Sequence, residues 1–424
     1  MVERRTPIPV SEAVKRVMTY AKAGETEVVS LEDAYGRYLA EPLIADHDVP
    51  PFDRSPYDGF AIRAIDSAAA SSTNPVEFEV IEEIGAGKVA EKAVQPFQAV
   101  RIMTGAQMPP ECDAVVMLEL TKQYERDGKK YMSIKRSFKP GDNISFQGED
   151  TKKGTKLVDK GTFINPGVQA LLATFGYSQV KVAKRPRIGI FATGSELLDV
   201  SEPLVPGKIR NSNSYMIRAQ IIRTGALPVY FGKLADDVDE CFTAIKNALD
   251  EVDILITTGG VSVGDYDYLP VIYERLGAEV LFNKIAMRPG SVTTVAQLNG
   301  KLLFGLSGNP SACYVGYELF VRPVVRTMMF SPNPYLRQTK AILQADFPKP
   351  NPFTRFVRSY VTYDCGQLCV APSGMDKSNI VTSLAKANAL MVLPGGTRGF
   401  VKGALVDVLL LEDEEGSSQF GEES

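Results

Sequence analysis

One histidine, His47, stands among 424 residues. Its isolation rules out His-rich zinc sites, zincins and any Ser-His-Asp triad that does not use this residue. Cysteine is scarce in the same way: Cys112, Cys241, Cys313, Cys365 and Cys369 are scattered, with neither CxxC nor zinc-type spacing, the pattern of reduced thiols. No apolar stretch approaches the ~20 residues of a membrane span. The segment Met1 to Pro9 lacks the apolar core of a signal peptide, so the expectation is a cytoplasmic protein with no membrane attachment. A net charge of -4 offers no basic excess for nucleic acid. Gly85-Ala86-Gly87-Lys88 lacks both the third glycine of a dinucleotide fingerprint and the Gly-Lys-Ser/Thr of a P-loop, so neither NAD nor Walker-type ATP binding is supported.

With 44% hydrophobic residues there is ample core, and a prior of ~150 residues per domain suggests about three domains. Apolar positions at helical spacing predict a helix over 11–23 with Ser11 as its cap. A Pro- and Asp-rich loop follows, from Asp46 to Phe60. From about 75 to 135, short β-like runs divided by Gly, Pro and charged residues predict a small β-rich lobe. After Lys184-Arg185-Pro186, strands and helices alternate: strands at 187–192, 228–234, 252–256, 279–282, 292–296 and 302–306, helices near 211–224, 238–250, 267–276 and 311–329. That alternation predicts a three-layer α/β/α module with a mainly parallel sheet. Residues 335–411 read as short strands with Pro-Gly-Gly turns, hence a C-terminal β-barrel or sandwich, and 412–424 as an acidic tail without structure.

Two small-residue turns follow apolar strands of the module. Thr257-Thr258-Gly259-Gly260-Val261-Ser262-Val263-Gly264-Asp265-Tyr266-Asp267 is one; Ser307-Gly308-Asn309-Pro310 is the other, about 50 residues on, the scale of one or two βαβ units. In an open parallel sheet, ligands collect beyond the carboxyl ends of the strands, where such turns expose N–H groups and the next helix offers its positive end. The amides and Ser262 suit phosphate. Asp267 beside them suits a bridging Mg²⁺, which takes oxygen ligands from carboxylate and phosphate together. Thr193-Gly194-Ser195-Glu196 ends another strand on the same sheet edge. Lys284, Arg288 and Ser291 form a basic strand-turn suited to an oxyanion.

Together these residues resemble the molybdopterin molybdenumtransferase family, the molybdenum insertases that include the C-terminal domain of gephyrin. The resemblance runs from about residue 7 to 411. It is carried by Pro51-Phe52-Asp53-Arg54-Ser55-Pro56-Tyr57-Asp58-Gly59-Phe60-Ala61, Arg101-Ile102-Met103-Thr104-Gly105-Ala106, Thr193-Gly194-Ser195-Glu196-Leu197, Gly259-Gly260-Val261-Ser262-Val263-Gly264 and Ser383-Leu384-Ala385-Lys386-Ala387-Asn388-Ala389. It implies a first domain made of 7–47 and 150–183, a β-rich lobe inserted at 48–149, the α/β module at 184–333 and the β domain at 334–411.

The resemblance also implies a homodimer with its active site between subunits, contact with a molybdopterin adenylyltransferase and with apo-molybdoenzymes, and Mg²⁺ as cofactor. The substrates would be molybdate and adenylylated molybdopterin, with AMP released. Asp58, Thr104 with Gly105, and Asp150 would approach from the partner subunit. Glu196, Asp236 or Asp237, and Asp267 would surround nucleotide and metal, with Glu196 and Asp267 as metal ligands. Thr193, Gly194, Gly259, Gly260, Ser262, Gly264, Ser307, Gly308, Asn309 and Pro310 would bind substrate, while Lys284, Arg288, Arg355 and Ser378 attract the oxyanion. The family pattern often carries Lys at the positions of Arg288 and Ser291, so one charge is missing here and tungstate stays open beside molybdate. Two other readings compete: adenylyl transfer from ATP, the reaction of shorter relatives sharing the Gly-Gly loop, and a non-catalytic scaffold.

Overall fold

The computed structural model describes residues 6–235, 237–260, 269–413 and 416–421. The chain forms two compact units. One comprises Met1–Glu41, Lys160–Ala170 and Tyr177–Ser424, the other Pro42–Asp159 and Leu171–Gly176.

In the larger unit a six-stranded sheet has four parallel strands in the order Leu227–Lys233, Arg187–Ala192, Ile254–Thr258, Lys301–Leu306. Thr294–Leu298 and Glu279–Phe282 extend it antiparallel. The reversal is local, because Asn299 and Gly300 both take positive φ (53° and 84°), the two-residue turn whose twist suits a hairpin. Alternate side chains of the central strands face opposite ways. Ile188, Ile190, Ile254 and Ile256 pack with Ile217 and Ile221 of helix Asn213–Thr224. Phe191 and Leu255 pack with Cys241, Ile245 and Leu249 of helix Val238–Glu251. Three layers result, with a mainly parallel sheet as expected.

The N-terminal helix spans Val10–Met18 and joins the same core through Val10, Ala13, Val14 and Val17. Its cap is Pro9, not Ser11, and it stops short of residue 23. Gly24 explains the stop: its N–H donates to the Met328 carbonyl at 2.9 Å, and a Cβ there would lie 2.8 Å from that oxygen. Docking against Met328 outweighs helix propensity. The long helix expected at 311–329 is Pro310–Gly316 and Arg322–Met328 with a π-helical segment, Tyr317–Val321, between them.

The C-terminal strands close into a five-stranded barrel: Thr354–Asp364, Gln367–Pro372, Gln338–Leu343, Leu405–Leu410 and Ala389–Leu393, the last pairing back onto the first. Closure leaves no open edge, and Leu343, Val357, Val370, Met391 and Val408 fill the interior. The short strand Met287–Arg288 pairs in parallel with Thr354–Arg355. The tail departs from expectation where it is described. Asp413 pairs with Arg337 at 3.1 Å, Ser417 bridges to Tyr335, and the Phe420 ring meets the Tyr335 ring edge-on at 5.7 Å. The aromatic contact, the ion pair, the two backbone bonds exchanged by Tyr335 and Ser417 and a bond from Arg322 to the Asp413 carbonyl (3.2 Å) hold a segment whose composition looks unstructured.

The smaller unit is built on a six-stranded sheet in the order Ala114–Met117, Gly59–Ile62, Gln98–Ile102, Val76–Ile84, Lys129–Ile134, Thr121–Arg126. Both faces are covered, by Phe60, Ile62, Phe78 and Met132 on one and Ala61, Val100, Ile102 and Val115 on the other. Among the described residues no helix is long and apolar enough to cross a membrane.

Candidate active site

Chain order and strand order part company between Arg187–Ala192 and Ile254–Thr258, whose helical connections leave on opposite faces, and this is where doubly wound sheets bind ligands. Three strand-end turns meet there. Thr193 donates to the Thr258 carbonyl from its N–H (3.0 Å) and its hydroxyl (3.1 Å), and Gly259 N–H donates to the Leu306 carbonyl (2.9 Å). Gly259 has φ 90°, and a Cβ on it would lie 2.5 Å from the Thr193 hydroxyl. Only glycine allows the turns to approach this closely. Asn213 crosslinks the second and third turns, its Nδ2 donating to the Gly308 carbonyl (2.9 Å) and the Thr258 hydroxyl (3.2 Å).

The turns open on a cavity of about 1210 Å³ lined by Thr193, Gly194, Ser195, Glu196, Asn211, Asn213, Gly259, Gly260, Ser307, Gly308, Asn309 and Pro310, among others. Val292, Ser307, Asn309 and Asn379 also line a second cavity of about 490 Å³, with Arg288, Gly290, Ser291, Arg355, Asp376, Lys377 and Ser378. The barrel loop that supplies Ser378 and Asn379 is pinned to the third turn. Ser311 N–H donates to the Ser378 carbonyl (3.0 Å) and the Ser311 hydroxyl to the Ile380 carbonyl (2.6 Å).

Around the second cavity, cations outnumber acids. Asp376 accepts from Arg355 (2.7 Å), Arg358 (3.1 Å) and Lys349 (3.5 Å). Arg355 also donates to Asn351 Oδ1 and the Pro350 carbonyl; Arg358 donates to the Met375 and Lys377 carbonyls and Ser383. Burial pulls the Arg358 pKa down and Asp376 opposes the shift. Register places Arg288 beside Arg355, a like-charge neighbour that a bound anion would relieve.

Several expected residues therefore come together: Thr193, Gly194, Glu196, Gly259, Gly260, Ser307, Gly308, Asn309 and Pro310 at the first cavity, Arg288, Arg355 and Ser378 at the second. Ser262, Gly264, Asp267 and Asp236 lie outside the described residues. Lys284 lines neither cavity; its carbonyl accepts from Ile8 N–H at 3.2 Å. Asp237 is the N-cap of helix Val238–Glu251, its Oδ1 accepting from the N–H groups of Asp239 and Glu240, both at 2.9 Å, and it lines neither cavity. In the smaller unit, Asp58 Oδ1 accepts from Thr104 N–H (2.7 Å) and hydroxyl (2.9 Å), and these bonds hold its carboxyl below the usual range. Gly105 N–H donates to the Ser55 carbonyl (2.8 Å), and Asp150, on the surface, donates its N–H to Val49 (3.0 Å). Asn213, Asn379, Lys349, Arg358 and Asp376 were missed. The run Asn211-Ser212-Asn213-Ser214 at a helix start was the one signal available for the first of them.

Glu196 is the single acid among the described residues lining the larger cavity, and no group of three metal-ligating side chains occurs among the described residues. One carboxylate completed by substrate oxygens fits the manner in which Mg²⁺ is usually held.

The doubly wound sheet with its glycine turns and the adjoining cationic recess are the architecture of an α/β enzyme. Models of the MoeA N-terminal region (domain I and II), the probable molybdopterin binding domain and the MoeA C-terminal region (domain IV) match residues 8–176, 189–327 and 340–411. The molybdopterin molybdenumtransferase of Bacillus subtilis (strain 168) is 63% identical over 417 residues, covering 98% of this chain and 97% of its own length. That of Staphylococcus aureus (strain COL) is 51% identical over 414 residues, 98% of each chain. A crystal structure of a molybdopterin biosynthesis moeA protein from Pyrococcus horikoshii OT3 superposes with TM-score 0.81 at 33% identity, covering 96% of this chain and 100% of that one. The chain belongs to the molybdopterin molybdenumtransferase family. It is a transferase of molybdenum cofactor biosynthesis.

Proposed function

We propose that this transferase inserts molybdenum from molybdate into adenylylated molybdopterin and releases AMP, in a Mg²⁺-dependent reaction. The observation that carries the reading is the continuity of the two cavities through Ser307 and Asn309: glycine turns suited to a phosphoanhydride adjoin a recess lined by Arg288, Arg355 and Lys377 with Asp376 as its one acid. The N–H groups of the turns that bond to nothing else bind the nucleotide phosphates. Arg288 and Ser378 draw the tetrahedral oxyanion into the smaller recess, and Arg355, anchored by Asn351 and Asp376, holds a positive wall behind it. Glu196, with Asp267, would hold Mg²⁺, which supplies charge neutralisation at the leaving phosphate.

No protein nucleophile is required: the substrate thiolates displace oxygen from the oxyanion, which leaves as water with protons from the thiols or solvent, and a molybdate oxygen or water attacks the phosphoanhydride as AMP leaves. Water exclusion and pre-concentration of the two anions are the protein's main contributions. Asp58, Thr104 and Asp150 act from the partner subunit of a homodimer, Lys284 assists the oxyanion, and transfer from the adenylyltransferase and delivery to apo-molybdoenzymes occur in the cytoplasm.

The test is incubation of purified protein with adenylylated molybdopterin, Mg²⁺ and molybdate, following AMP release and reconstitution of an apo-molybdoenzyme. Molybdate-dependent release with reconstitution is expected. Binding without turnover, or synthesis of the adenylylated pterin from ATP, would overturn the proposal.

A further inference from the structure

Four charged side chains line the smaller cavity: Arg288, Arg355, Asp376 and Lys377. Two of them are committed to each other. Arg355 donates to Asp376 (2.7 Å) and to Asn351 Oδ1 (2.6 Å), and Asp376 also takes Arg358 (3.1 Å) and Lys349 (3.5 Å). The one acid of the recess is thus shared among three cations. Arg288 and Lys377 differ, since both are exposed and neither side chain has an ion pair or hydrogen bond among the described residues. Their backbones are nonetheless fixed. Arg288 stands in register with Arg355 on paired strands. The Lys377 carbonyl accepts from Arg358 (3.1 Å), and the next carbonyl, that of Ser378, accepts from Ser311 N–H (3.0 Å). Two long, flexible cations are therefore rooted in the lining of one recess with no counter-charge of their own.

An ammonium on a four-carbon stem carries three rotatable donors and swings to meet its ligand, so an anchored, accessible Lys377 can close on an anion held in the recess. A hydroxyl such as that of Ser378 donates to any oxyanion, whereas the attraction of a cation scales with the charge that it faces. We propose that Lys377 joins Arg288 in binding the oxyanion, and that these two free cations make the recess select a tetrahedral dianion over a monoanion of the same shape. Two unpaired positive charges then meet two negative ones, while Arg355 and Asp376 balance each other behind them. The inference deepens the oxyanion role proposed above and rests on it, adding a residue and a basis for specificity.

The test compares the KM for molybdate with the inhibition constant of perrhenate, a tetrahedral monoanion of similar size, in the AMP-release assay on the full chain. The wild type is expected to take molybdate more tightly than perrhenate. Lys377→Gln is expected to raise the molybdate KM about fivefold and the perrhenate constant only about twofold, because halving the charge of the anion halves the attraction. Lys377→Arg should keep both constants near those of the wild type. Ser291 lines the same cavity, so adding Ser291→Lys to Lys377→Gln returns a cation from another element and is expected to recover most of the lost molybdate affinity. A lysine that only shaped its loop would not be rescued in this way. Four results would overturn the inference: perrhenate binding as tightly as molybdate to the wild type, an unchanged molybdate KM in Lys377→Gln, equal losses for the two anions, or a double variant no better than Lys377→Gln. Any of these, with molybdate-dependent AMP release intact in the wild type, would remove this inference alone. A wild type whose AMP release ignores molybdate would remove both it and the function on which it rests.

Discussion

Asp376→Asn separates two consequences of one charge. The carboxylate sits between Arg355, Arg358 and Lys349, whose side chains are 10%, 1% and 45% exposed. The amide keeps the shape and removes the charge. Removing one partner of a buried ion pair costs about 3–5 kcal/mol. Arg355 and Arg358 would retain their bonds to Asn351, Pro350, Met375, Lys377 and Ser383, which argues for the lower end, about 3 kcal/mol. Anion binding should move the other way, because the recess gains a positive charge; about 1 kcal/mol for a contact-range charge in a solvated setting corresponds to roughly fivefold tighter molybdate binding. The assay pairs amide exchange on the barrel strands, which reports that region without assuming two-state unfolding of the whole chain, with the molybdate dependence of AMP release. Unchanged exchange, or weaker anion binding, would refute the assignment of Asp376 as the counter-charge of this cluster.

Asp237→Ala should cost about 1 kcal/mol through loss of the cap and raise exchange at Asp239 and Glu240, while Asp237→Ser restores the cap and full turnover; loss of turnover in the serine variant would return the residue to the chemistry. The Asp58 carboxyl, its pKa lowered by the Thr104 bonds, keeps those bonds above its ordinary pKa near 4 and gives them up as pH falls through the lowered value. Thr104→Ala should move the midpoint only part of the way back in a carboxyl NMR titration, since the larger cause is the backbone N–H, which remains. Native thiol labelling at neutral pH should modify Cys365 quickly and leave Cys112, Cys241, Cys313 and Cys369 intact; Cys365 is exposed and the others are buried, with burial pushing Cys112 up to about 12. Fast uptake by Cys112 would contradict that environment.

The α/β module was legible because strand and helix periods alternate cleanly and three of the four parallel strands run into small residues. Those turns also located the larger cavity. The antiparallel edge was less visible, although Asn299-Gly300 is a hairpin signal, because the runs around it look like the parallel strands. Barrel closure depends on Arg355–Ser359 returning to Ala389–Leu393, a pairing across some thirty residues that local pattern cannot specify. The end of the first helix was set by Gly24 against Met328, a contact from the far end of the unit. The second cavity escaped in part for the same reason. Arg355 and Ser378 entered through resemblance alone, and the carboxylate that balances Arg355 and Arg358, like the amide that crosslinks the glycine turns, has meaning only once distant segments have met.

The parallel pairing of Met287–Arg288 with Thr354–Arg355 gives the barrel a strand that the chain supplies before the barrel begins. A cut within Ser331-Pro332-Asn333-Pro334 would leave the fragments joined by that ladder, by the Ser311 bonds to the 378–380 loop and by the shared cavity wall. The C-terminal segment is thus a poor unit for exchange between relatives. A chimera that transplants 340–411 alone would need the donor's own counterpart of Met287 and Arg288 to travel with it, although those residues lie some fifty positions upstream.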